Sequence, residues 1–77
     1  MVNGILWFDD VGTLEERLGR AALYFEDKRG VKADHVLVNT GECYDAGYAE
    51  GGELGGVIIE PSNLMLPRHY LMGVRRE

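Results

Sequence analysis

Hydrophobic positions along this chain alternate between two spacings, and the changes of spacing mark its elements. Residues 2–8 contain the unbroken apolar run Ile5-Leu6-Trp7-Phe8, which predicts a strand covered on both faces. After a turn at residues 9–12, apolar residues recur at Leu14, Leu18, Ala21, Ala22 and Phe25, the spacing of one helical face. Thr13 and Glu16 stand three apart, as a capping box requires. Glu15 and Glu16 lie at the positive end of the helix dipole, and Lys28 and Arg29 at the negative end. Gly30 then supplies a left-handed stop, after which Val31 can fold back on Phe25. These signals agree on a helix over residues 13–29. Leu23 projects away from the stripe, and Tyr24 sits at its edge.

The spacing returns to two beyond the helix. His35–Asn39 predicts a second strand and Val57–Glu60 a third, ended by the turn-forming Pro61-Ser62-Asn63. Arg68–Val74 predicts a fourth, with His69, Leu71 and Gly73 on one face and Tyr70, Met72 and Val74 on the other. Residues 40–56 have no apolar periodicity and hold six glycines and four acids, so a flexible, acidic, glycine-rich loop is expected there. The order β-α-β-β-β predicts a single α+β domain over residues 1–77, a two-layer sandwich with one helix on a mixed sheet of about four strands. Strands one and two are expected to be parallel, joined by a right-handed crossover. The last two are expected to form a hairpin or short meander. One helix covers one face of such a sheet. The other face must be polar, covered by the long loop, or buried against a second copy.

Length and composition narrow the picture. At 77 residues, 45% hydrophobic and 27% charged, the chain has the makeup of one globular domain at the low end of the size range, where the core alone stabilises weakly. Cys43 is the only cysteine, so an intrachain disulfide is excluded and self-association becomes the expected support. There is no run of about 18 apolar residues and no basic, apolar start resembling a signal peptide. With a lone thiol, this favours a reducing cytoplasm and no membrane partner.

The net charge of −5 is unevenly placed. Residues 33–67 contain no Lys or Arg, but do contain Asp34, Glu42, Asp45, Glu50, Glu53 and Glu60. The tail carries Arg68, Arg75 and Arg76 against Glu77. A phosphate backbone needs clustered cations, so nucleic acid is not an expected partner. An acidic stripe can instead meet a protein with a basic surface, or simply keep the domain soluble.

Candidate chemistry is sparse. Phe8-Asp9-Asp10-Val11-Gly12-Thr13-Leu14 resembles motif I of the haloacid-dehalogenase-like phosphatases, in which a first Asp attacks phosphorus and a second acts as general acid and base. By that resemblance Asp9 matches the nucleophile, but Val11 stands where the second Asp belongs. Cys43 lies between Glu42 and Asp45, whose charge raises a thiol pKa and works against a nucleophile. Two histidines, His35 and His69, and one cysteine are too few for a structural zinc site. The loop acids do not follow EF-hand spacing, and the glycines of residues 51–56 lack a phosphate-loop ending. No cofactor, metal or catalytic group is therefore expected. Tyr44, Tyr48, Glu50 and Glu53 are the expected contact residues, because tyrosine anchors interfaces; the two rings could equally fold back over the uncovered sheet face. The reading this supports is a protein-interaction or regulatory accessory module acting as a homodimer, by analogy with small acidic accessory and inhibitor proteins of bacteria and their mobile elements. A small metal-dependent hydrolase or small-molecule-binding domain, using Asp9, Asp10 and a histidine, is the alternative.

Overall fold

The computed structural model describes residues 2–75; Arg76 and Glu77 of the basic tail lie outside the described residues. The elements are β1 (Val2–Phe8), α1 (Leu14–Arg29), β2 (His35–Asn39), α2 (Thr40–Asp45), β3 (Gly52–Leu54), β4 (Val57–Ser62) and β5 (His69–Val74). The fold class is as expected, α+β with one mixed sheet, but the sheet has five strands in the order β1-β5-β2-β4-β3.

α1 begins and ends where its local signals place it. The Thr13 hydroxyl accepts from the Glu16 N–H while the Glu16 carboxylate accepts from the Thr13 N–H. Gly30 closes the helix in the left-handed region and donates to the Glu26 carbonyl. Leu14, Leu18, Ala21 and Phe25 are buried against Val36, Val38, Ile59, Tyr70 and Met72. Val31 does not close on the core and stays half-exposed.

The strand order differs from expectation. β5 lies between β1 and β2 and is antiparallel to both. β1 and β2 therefore run in the same direction but are not neighbours, a split β-α-β arrangement. β4 pairs with β2 in parallel, so β4 and β5 form no hairpin. Their connection, residues 63–68, is longer than a tight turn, and it crosses two strand spacings of about 4.8 Å each. β4 also runs through Pro61, opposite Val38. β3 reaches only to Ile59, so Pro61 sits where β4 has a ladder neighbour on one side only and a residue without an N–H is tolerated.

Residues 40–56, expected as one irregular loop, carry both α2 and β3. Asn39 caps α2, its side-chain oxygen accepting from the N–H groups of Gly41 and Glu42. Cys43 points from α2 into the core. β3 joins β4 through Gly55-Gly56, and both glycines have positive φ (58° and 86°), as a two-residue hairpin turn demands. Tyr48 packs over Gly52 on the helix side of the sheet, where an added Cβ would lie 2.7 Å from its ring. The segment thus thickens the face that α1 already covers. The opposite face stays open.

Candidate functional site

The turn after β1 holds the acid that resembles a phosphatase nucleophile. Asp9 is buried and its oxygens are engaged. Oδ2 accepts from Arg20 Nε at 2.7 Å and from the Trp7 indole at 3.3 Å, and Oδ1 from Arg20 Nη2 and the Val11 N–H. The Arg20 hydrogen bond, supported by the Val11 N–H, holds the Asp9 pKa far below the ordinary carboxylate range. Arg20 also donates to the Val11 carbonyl. This arrangement ties the β1–α1 turn to the helix and leaves little of Asp9 to meet a ligand. Asp10 is exposed, and among the described residues no group of three or more His, Cys, Asp or Glu converges as metal ligands.

A second polar cluster sits where α1 and α2 meet β5. Glu42 Oε2 accepts from Arg17 Nη1 at 3.0 Å and from the Tyr70 hydroxyl at 3.0 Å, and Oε1 accepts from the Arg68 N–H at 2.9 Å. Arg68 has φ 64°, unusual for a residue with a side chain. It is held there from two sides, because its carbonyl also accepts from the Asp9 N–H. Burial raises the Tyr70 pKa, so the hydroxyl keeps its proton. An open cleft of about 630 Å³ adjoins this cluster, lined by Leu14, Glu15, Asn39, Asp45 and Arg68 among others. Its best-placed charges, Arg17 and Glu42, pair through Arg17 Nη1, while the buried Arg17 Nε has no hydrogen-bond partner among the described residues.

The expected contact residues are dispersed. Tyr44 projects from α2 into solvent. Tyr48 folds onto the core and its hydroxyl donates to Glu15 Oε2 at 3.4 Å; burial raises its pKa. Glu50 is exposed in the turn before β3, and Glu53 is exposed on β3, opposite Ile58. Cys43 is fully buried, and burial, followed by the Glu42 charge, raises its thiol pKa. His35 lies against Asp34, and His69 stacks near Phe8 with ring centroids 5.0 Å apart.

A coherent apolar surface follows from the register. Leu6 on β1 faces Leu71 on β5, which faces Leu37 on β2, so three leucines form a row across the open face. Phe8, one step along β1, extends the row, and both Leu6 and Phe8 are 59% exposed. Beyond Leu37 the face turns polar at Glu60, which pairs with Arg75. At the Phe8 end, the connection into β5 carries Leu64, 92% exposed, and Leu66. Apolar residues grouped on one open face make this the candidate contact surface. It was legible as an imbalance, since the Ile5–Phe8 run promised two covered faces and the chain covers one.

No family model matches the chain, and neither a curated protein nor a solved structure matches it. The class that fold and surface define is a two-layer α+β domain with one face of its sheet uncovered. No helix among the described residues is long and apolar enough to cross a membrane.

Proposed function

We propose that this chain is a protein-interaction module of regulatory or accessory type that works as a homodimer, two copies meeting through the open faces of their sheets. The observation that carries this reading is the row Leu6–Leu71–Leu37 across the open face, exposed at Leu6 and half-buried at Leu71 and Leu37, with exposed Phe8 beside it. Burying such area releases about 25 cal/mol per Å², support that a core this small needs. Edge-to-edge pairing is the weaker alternative. β3 has three residues and β1 is bulged between Val2 and Ile5, both devices that blunt an edge. The polar border also suits a second copy: Glu60 and Arg75 pair within one subunit, so an isologous contact does not bring unpaired like charges into the centre. A reducing cytoplasm suits a chain whose one thiol, Cys43, is buried in a core without disulfides.

Sedimentation velocity tests the proposal directly. The parent is expected at twice its 8.6 kDa mass, and Leu6→Glu and Phe8→Glu are each expected to shift it to monomer with an unchanged circular dichroism spectrum. A parent that stays monomeric at hundreds of micromolar, or a dimer indifferent to both substitutions, would overturn it.

A further inference from the structure

A different surface runs along the flank of α1. Glu15, Leu18, Gly19, Ala22, Leu23 and Glu26 follow one another at helical spacing and form one wall of a groove whose other wall is the β3–β4 turn. Its floor is apolar, made by Leu18, Ala22, Leu54, Val57 and Met72, and its deeper part encloses about 300 Å³. Gly19 and Gly55 keep it open; a Cβ built at either meets no atom within 4 Å. Leu23, 72% exposed, stands on its lip. From Glu15 to Glu26 the wall is about 16 Å long at 1.5 Å per residue.

We propose that this groove receives an amphipathic helix from another protein, with apolar side chains on one face and basic residues at the end that lies over Glu15. Three observations select that occupant. Charge comes first: among the described residues Glu15 is the one charged group lining the deeper part, whereas Glu26 and Lys32 stand together, acid beside cation, at the far end. A second copy of α1 laid antiparallel would centre between residues 20 and 21, setting Glu15 against the partner copy's Glu26, acid on acid. An extended segment would leave its own N–H and C=O groups unpaired, because the walls are a helix and a turn, and β3 offers only three residues of free edge. A helix satisfies its own backbone and presents anchors at i, i+3, i+4 and i+7, the spacing a groove of this length takes.

The probe is a labelled 14-residue helical peptide with leucines at those positions, lysines grouped at one end and glutamines elsewhere, followed by fluorescence anisotropy. Binding is expected, at least tenfold weaker for the same peptide with glutamates in place of lysines. Gly19→Phe fills the groove from an open helical position and is expected to weaken binding at least tenfold. Glu15→Lys should weaken it severalfold, and Lys32→Glu should tighten it. Leu6→Glu should bind as the parent does, which separates this groove from the sheet-face dimer. Absence of binding, equal binding of the acidic peptide, or indifference to Gly19→Phe would each overturn the proposal. A self-association abolished by Gly19→Phe would overturn it in favour of a second copy.

Discussion

Asp9 and Arg20 lie eleven positions apart in sequence and 2.7 Å apart at their nearest polar atoms. Their pairing matters because Asp9 is buried, and a buried carboxylate stripped of its partner must be desolvated alone. Asp9→Asn keeps the shape but loses the charge, so a melting temperature several degrees below the parent at neutral pH is expected. The pH dependence has a definite sign. The folded-state pKa of Asp9 is depressed, so its stabilisation is fully present above the unfolded value, about 3.9, and is lost as pH falls through the folded value. Thermal melts from pH 7 downward should show a constant gap between parent and variant to about pH 4, then a narrowing gap. A gap that widens in acid would contradict the pairing. Neither this pair nor the Arg17–Glu42–Tyr70 cluster was visible in the sequence, because its members are 25 and 53 residues from Arg17 and no local pattern joins them.

Among the elements, α1 was legible because cap, stripe, charge and stop all reside within its own residues. Its weakest joint is the entry. Gly12 has φ 79°, and an added Cβ would lie 2.1 Å from the Glu16 carboxylate oxygen that completes the capping box. Gly12→Ala is therefore expected to cost about 2 kcal/mol, from a left-handed residue with a side chain and a displaced Glu16. Thr13→Ala, which removes the hydroxyl arm of the same box, should cost about 1 kcal/mol, or roughly 4–8 °C in a domain this small. Because both act through Glu16, the double variant should lose less than the sum in urea melts; strict additivity would mean that Gly12 acts elsewhere. α2 and β3 were missed for the opposite reason. α2 has six residues and one buried side chain, too few for periodicity to register. Its signal is the Asn39 cap, and the signal for β3 is the Gly55-Gly56 pair between Leu54 and Val57. Strand adjacency was beyond local reasoning, since β5, the last strand in sequence, lies between β1 and β2 in the sheet.

At the scale of the whole molecule, one net charge acts on two proposed contacts in opposite ways. Each chain carries −5, so joining two copies concentrates like charge, and that repulsion reaches about 10 Å at 0.1 M salt. The leucine row at the centre of the sheet face bears no charge, and its burial does not depend on counterions. Raising salt from about 20 mM to about 500 mM, which shortens the screening length severalfold, should tighten the dimer severalfold. A basic helix drawn to Glu15 is held partly by attraction between opposite charges, so the same change should weaken the peptide complex. Sedimentation and anisotropy in matched buffers give both slopes from one preparation. If the dimer constant weakens with salt, ion pairs rather than the Leu6–Leu71–Leu37 row hold the copies together, and the open face loses the property that marked it as the contact. If both slopes share a sign, net charge is not what distinguishes the two surfaces, and the choice of a basic occupant for the groove loses its physical ground.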